Sequence, residues 1–320
     1  MNPRLTFQKE NAMPATGCLF TFYTLSPLHA GSGESSAAVD LAIQREKHTE
    51  YPVVYSSSMK GSLRWFFECK HSDSDVINRI FGKEGDEKGG SGQVVFTDAK
   101  ILFFPVRSSE GVFKWVTCNF LIERALRDLE FIGIKPSGIK TTAISAMGGE
   151  AHSPYTSEIL LEDFPVTANK AMLPALFNFL KKFADEEEVK QRLIIVSNDV
   201  FKTLVTTATQ VIARNVLDKD TKTSKNLWYE EVVPADAIFY TIMRPTYRDH
   251  DGGLMEALAN GTNGIGNQII QIGGNETIGY GFVKFSDNLA PTLSSISEQA
   301  SSTTSTAPAT STTNAGASNG

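Results

Sequence analysis

Hydrophobic periodicity switches repeatedly along this chain between two residues and about 3.6, and the order of those switches restricts the fold more than any single motif. CLFTFYTL, residues 18–25, alternates and is rich in aromatic side chains, which predicts a strand. Ser56 to Lys70 predicts a helix: serines stand where an N-cap is wanted, and Leu63, Phe66 and Phe67 form an apolar stripe. DVINRIFG reads as a short helix ending at glycine, QVVFTDAKILFFPVRS and VFKWVTC as strands, and NFLIERALRDLEFIG as an amphipathic helix. EILLEDFPVTA reads as one strand and ANKAMLPALFNFLKKFADEEEVK as one helix with an acidic end. LIIVS is a short buried strand followed by a helix from Asn198; AIFYTIMRPT, a helix near Leu254 to Asn260, NQIIQIGG and GYGFVKFS follow. Strands and helices mixed in this way predict an α+β fold with helices on one face of a sheet. No internal repeat has a clear period.

The chain has 320 residues, 41% hydrophobic and 21% charged, enough for one large domain or two modest ones. A formal net charge of -6 counts against a molecule that is basic overall, although a local basic strip serves a polyanion equally well because fields are screened beyond about 10 Å. Cys18, Cys69 and Cys118 are far apart with no CxxC spacing, so neither a disulfide framework nor a zinc site is expected, and a reducing cytoplasm is the expected setting. No signal peptide or membrane span is read from the sequence. Residues 1–15 are expected to form a loose arm, and 288–320, a Ser, Thr, Ala and Pro tract, a disordered tail around a folded unit of 16–287.

Polar and flexible residues concentrate in five places. HAGSG, residues 29–33, is a glycine-rich turn whose backbone at Gly31, Ser32 and Gly33 would let a phosphate approach; a plain turn fits the same pattern. The connection that follows carries Asp40, Arg45, Lys47 and His48, and long connections with little structure of their own are often functional. SSSMKGSLR opens a helix with Ser57, Ser58, Lys60 and Arg64, a group suited to an anion or to ordinary capping. Gly61 costs a helix about 1 kcal/mol, which makes sense where a ligand backbone must come close. IARNVLDKDTKTSKNLWYEE, residues 212–231, reads as a hairpin with a basic tip, Lys219, Lys222 and Lys225, followed by Glu230 and Glu231. QIGGNETIGYGFVKF, residues 271–285, offers Gly273, Gly274 and Gly279 in a turn between strands.

Taken in order, PLHAGSG, VDLAIQREKHTEYPVV, SSSMKGSLR, GQVVFTDAKILFFPVRS, VFKWVTC and QIGGNETIGYGFVKF make the chain similar to the RAMP superfamily of CRISPR proteins. It most resembles the Cas7-like backbone subunits of Cmr-type (type III-B) effector complexes. The resemblance covers most of residues 16–286. It implies a modified ferredoxin-like (RRM-like) palm with long insertions and a projecting thumb hairpin at about 209–231. Copies would stack as a helical filament along a guide crRNA, beside the other subunits of the complex. Each thumb would wedge into the guide–target duplex at regular intervals. By the resemblance Asp40 promotes cleavage of the complementary target RNA, with weaker matches at His29, Glu230 and Glu231. The glycine-rich turns and the Ser57–Arg64 stretch become guide contacts.

The chemistry this implies is attack of a ribose 2′-OH on its own phosphate, which spares DNA. A free aspartate, with a pKa of about 3.9, is a weak base at neutral pH, so Asp40 is expected to position a divalent ion, Mg or Mn, or to act on a substrate already aligned for in-line attack. A backbone subunit that only binds RNA, and a guide-processing endoribonuclease using His29 or His48, remain alternatives at this point.

Overall fold

A computed structural model of the chain describes residues 17–34, 39–70, 73–83, 90–136, 139, 149–246, 253–259 and 264–290. The expected arm and nearly all of the expected tail lie outside the described residues. The first half runs β1 (Cys18–Thr24), β2 (Gly31–Glu34), β3 (Leu41–Ile43), β4 (Val53–Val54), α1 (Ser56–Lys70), α2 (Ser74–Phe81), β5 (Val94–Phe96), β6 (Ala99–Arg107), β7 (Phe113–Cys118) and α3 (Asn119–Phe131). The second half runs β8 (Glu150–His152), β9 (Ser157–Leu161), β10 (Phe164–Asn169), α4 (Pro174–Leu180), α5 (Glu186–Arg192), β11 (Leu193–Val196), α6 (Asn198–Thr207), β12 (Gln210–Leu217), β13 (Ser224–Val232), β14 (Ile238–Pro245), α7 (Gly253–Ala259), β15 (Ile269–Gln271) and β16 (Phe282–Phe285).

A 12-stranded mixed sheet has the order β15-β16-β1-β14-β6-β7-β11-β8-β10-β9, with β4 on β6 and β5 on β14. The α+β class holds, but helices cover both faces rather than one. Residues of opposite parity on β1 explain this. Phe20 and Phe22 join Phe239 and Phe285 beneath α1 (Met59, Leu63, Phe67) and α6 (Phe201, Leu204, Val205). Leu19 and Tyr23 belong with Phe103, Trp115 and Tyr240 against α3 (Ile122, Ala125, Leu129), α4 (Leu176, Phe179) and α5 (Val189). A strand apolar on both faces needs a cover on each.

Three expected elements divide in the structure, the first being QVVFTDAKILFFPVRS, which is β5 and β6 with Thr97 and Asp98 between them. EILLEDFPVTA is a hairpin, β9 antiparallel to β10, turning at Glu162, whose φ is 51°. The long helix expected over 168–190 is two. Pro174, lacking an N–H, starts α4 rather than continuing a helix, and Asp185 caps α5 by accepting from the N–H groups of Glu187 and Glu188. The chain also stays attached past the expected start of the tail: Asn288 Oδ1 accepts the Leu19 N–H at 3.1 Å, Leu289 donates to the Leu19 carbonyl, and Ala290 is buried.

The connection after β1 has structure of its own. β2 and β3 pair with each other, and β3 adds in parallel to β13, making a second sheet of order β12-β13-β3-β2. Its main feature is the β12–β13 hairpin, exposed along most of its length and buried only from Glu230 inward. Val211, Val216, Leu217, Leu227 and Tyr229 all stand out into solvent on it.

All three cysteines are free; burial pushes the Cys18 and Cys118 thiols up to about 11, while Cys69 is exposed. Among the described residues no helix is long and apolar enough to cross a membrane.

Candidate functional site

β13 enters the body of the protein at Tyr229, and the candidate residues gather there. Leu41 of β3 lies opposite Glu230, so Asp40, one residue earlier, reaches the root of the hairpin. Its Oδ2 accepts the Tyr229 N–H at 2.7 Å and the residue is exposed. His29 sits behind. It is buried, its Nδ1 donates to the Glu231 carbonyl at 2.7 Å, and the same nitrogen stands 3.5 Å from the Glu230 carboxylate.

The two glycine-rich turns meet on this histidine. The Gly274 N–H donates to the His29 carbonyl at 2.9 Å. A Cβ on Gly273 would lie 2.4 Å from that carbonyl oxygen, and one on Gly31 would lie 2.8 Å from His29 Nε2, so both positions exclude a side chain. Gly33 and Gly279 have open space around them but positive φ, 97° and 86°. Ser32 is exposed and its hydroxyl donates to the Ala42 carbonyl.

Glu230 and Glu231, read from sequence as available carboxylates, are consumed internally. Glu230 is buried and accepts from Arg214 Nε at 3.1 Å and from Asn275 Nδ2. Glu231 accepts from Arg45 at 2.5 Å, from Thr209 Oγ1 at 2.7 Å and from the Ile43 N–H at 3.2 Å. Arg45 also donates to the Glu50 and Val205 carbonyls, so this candidate for RNA contact is bonded within the fold. The pair fastens the hairpin root to the body. Breaking such a pair strands a charge in a poorly solvated place. Glu231→Ala is therefore expected to lower unfolding free energy by about 3 kcal/mol, measured as the shift of a urea midpoint at constant slope; a loss below about 0.5 kcal/mol, the size of an ordinary surface change, would refute the pinning role.

The helix N-terminus lies close by. Gln44, a residue the sequence did not single out, links the two regions: its Nε2 donates to the Gly31 carbonyl at 3.0 Å and to Ser58 Oγ at 3.1 Å, while its Oε1 accepts the Tyr55 N–H at 2.7 Å. Asp98 already accepts the Ser56 N–H, so part of the helix end is satisfied from within. Arg64 is committed as well, to Glu68 at 2.7 Å and to the Gly82 carbonyl at 2.6 Å. Ser57 is exposed, and Lys60, half-buried, makes no ion pair among the described residues. Gly61 is exposed with nothing within 4 Å of its built Cβ, so no neighbour in this chain requires a glycine there.

Lys47 and His48 are exposed on the turn after β3. Lys219 and Lys222 are exposed at the hairpin tip, roughly 20 Å from the root by strand length, and are not brought to Asp40. The third tip lysine, Lys225, pairs with Asp218 at 2.9 Å; that lysine and the Thr221 and Asp220 N–H groups hold the Asp218 carboxyl well below the usual range.

Among the described residues no group of three or more His, Cys, Asp or Glu side chains is placed to hold a metal ion. The donor set at Asp40 says the same, since both neighbouring glutamates are occupied by cations, amides and hydroxyls and one Asp40 oxygen is occupied by an N–H. A preformed protein site for Mg or Mn does not fit these residues.

The architecture is that of a known class of protein. A sequence model of the RAMP superfamily matches residues 21–284, and the chain belongs to that superfamily. Within it, the chain is 37% identical over 280 residues to the Cmr endoribonuclease Cmr4 of Pyrococcus furiosus, covering 83% of this chain and 94% of the relative. It is also similar to the CMR subunit Cmr4 of Saccharolobus solfataricus, at 23% identity over 83% of this chain and 97% of that one. Among solved structures, oligomeric Cmr4 from Pyrococcus furiosus superposes with a TM-score of 0.66 at 34% identity, over 85% of this chain and 98% of the other. A chain of a type III-B Cmr-beta complex bound to cognate target RNA superposes with a TM-score of 0.69 at 23% identity, over 85% and 97%, a likeness of fold.

Proposed function

We propose that this chain is the repeated backbone subunit of a type III-B CRISPR effector complex, binding guide crRNA and cleaving complementary single-stranded target RNA at regular intervals. The observation that carries the reading is Asp40: an exposed carboxylate clipped to the root of a projecting hairpin. The large sheet with its helices is the modified ferredoxin-like palm, and β12–β13 is the thumb, its exposed Val216, Leu217 and Leu227 forming the wedge. The endoribonuclease relative at 37% identity supports the activity. The partners are guide, target, copies of this chain and the other subunits, in the cytoplasm.

The ribose 2′-oxygen attacks the adjacent phosphorus and the bond to the 5′-oxygen breaks, giving a 2′,3′-cyclic phosphate and a 5′-OH. This chain's part is to hold the kinked strand and to present Asp40 at the scissile linkage. The observed state of His29 argues against the guide-processing alternative. It is buried, its Nδ1 is committed to a carbonyl and its Nε2 lies against the Gly31 backbone, leaving it badly placed for acid–base exchange with a substrate. Stoichiometry separates the two readings: sedimentation with guides of increasing length is expected to show copies added in proportion to length. A single copy at every length would refute the filament.

With Arg64 committed to the fold, Lys60 is the clearest open cation at the guide contact. Lys60→Ala is expected to weaken guide binding at low salt and to reduce the slope of log affinity against log salt by about 0.7, one single-strand phosphate contact, measured by filter binding. Gly61→Ala should act with opposite signs on two measurements. Helix propensity favours the variant by about 0.5–1 kcal/mol of stability, while the added methyl weakens guide binding; unchanged binding would remove RNA from the explanation of Gly61.

A further inference from the structure

We propose that the protein gives the cleavage centre a single carboxylate oxygen, Asp40 Oδ1, and that a divalent cation used in the reaction is held by the RNA without a direct bond to this chain. The inference rests on the reading of Asp40 as the residue at the scissile phosphate. Asp40 has two oxygens, and Oδ2 is occupied by the Tyr229 N–H at 2.7 Å. A magnesium ion that binds a protein directly is normally held by one or two carboxylates together with substrate phosphates, in near-octahedral geometry. Among the described side chains bonded at the hairpin root, the second carboxylate would have to be Glu230 or Glu231. Both are buried, and each faces an arginine, Arg214 at 3.1 Å and Arg45 at 2.5 Å. Freeing either would expose an arginine to lost pairing and loosen the hairpin. The two arginines also neutralise the local field that would draw a dication to Asp40. His29 is no substitute, with Nδ1 donating to the Glu231 carbonyl and the ring packed beneath Gly31.

Asp40 Oδ1 is then a hydrogen-bond and proton acceptor fixed in direction by its partner oxygen. The 2′-oxygen bonds to phosphorus as the P–O5′ bond breaks; the 2′-proton passes to Oδ1, the 5′-oxygen takes a proton from water, and the carboxyl group returns its proton to solvent. A carboxylate is a weak base for this step, so most of the acceleration comes from the aligned geometry of the kinked strand.

The test uses the reconstituted guide-loaded complex and two readouts. In the first, Mn2+ bound to complexes carrying a target with 2′-deoxyribose at the cleavage positions is counted by electron paramagnetic resonance, for wild type and Asp40→Asn. Equal counts are expected; loss of one Mn2+ per subunit in the variant would overturn the proposal. In the second, cleavage by Asp40→Cys is compared in Mg2+ and in Cd2+, a thiophilic ion that a side chain bonded directly to the metal would favour. No selective gain in Cd2+ over that seen for wild type is the expected result, and rescue of the variant by Cd2+ would overturn the proposal. Normal cleavage by Asp40→Asn in Mg2+ would instead overturn the underlying reading of Asp40, a result distinct from either of the others.

Discussion

Asp40→Asn is expected to leave target RNA fully bound and to slow its cleavage at least about a hundredfold, the scale of losing a positioned proton acceptor. The substitution is clean because an asparagine side-chain oxygen still accepts the Tyr229 N–H, so the link between β3 and the hairpin root survives. Asp40→Ala removes that link too and should cost about 1 kcal/mol of stability, one exposed hydrogen bond, on top of the same loss of cleavage. Single-turnover cleavage beside a gel-shift for binding separates the two effects. If Asp40 served only to hold the loop, asparagine would cleave nearly as well as aspartate and only alanine would fail. Normal cleavage by both variants would leave a subunit that binds RNA and does not cut it.

The second large effect is expected at the hairpin. Replacing residues 217–225 with Asn-Gly joins Val216 to Asn226, which already pair, through a two-residue turn of a kind that suits the strand twist. The root contacts, Arg214 with Glu230 and Arg45 with Glu231, lie outside the deleted stretch and should persist. The shortened protein is expected to stay folded and to bind guide, while cleavage of target loses its regular spacing because nothing kinks the duplex at fixed intervals. Denaturing gels of end-labelled target read the outcome directly. An unaltered ladder would place the wedge somewhere other than β12–β13.

Much of the fold was legible because the elements concerned obey local rules. β1, β7 and α3 announce themselves through alternation or an amphipathic stripe within a single short window. What local pattern missed has local causes too. Pro174 and Asp185 mark a stop and a restart inside one acidic amphipathic stretch, and Glu162 turns a run whose apolar residues otherwise read as continuous. The second helical layer was hidden because aromatic residues of both parities on β1 look like one strong strand rather than two buried faces.

The candidate site was legible as a set of residues that the fold brings together, but not in how they are partnered. His29, Asp40, Glu230 and both glycine-rich turns were identified as candidates, and the structure gathers all of them at the hairpin root. Their division of labour depends on partners far away in sequence: Arg45 meets Glu231 across 186 residues, and Tyr229 meets Asp40 across 189. No local window records such a pairing, so the sequence left Glu230 and Glu231 as weaker candidates beside Asp40, where the fold leaves only Asp40 of the three exposed. Gln44 went unnoticed for the same reason. It is one polar residue in LAIQREK, and only the fold shows that it ties Gly31 to Ser58.

The measurement that bears most directly on the assigned function uses the wild-type protein alone. The complex is reconstituted with guide, given a complementary RNA labelled at one end, and the products are resolved to single nucleotides with their ends mapped. A ladder of evenly spaced fragments, with 2′,3′-cyclic phosphate and 5′-OH ends and one cut for each thumb along the guide, is the expected result. Intact RNA, or a single cut that does not repeat as the guide is lengthened, would contradict the assignment of a catalytic backbone subunit to this chain.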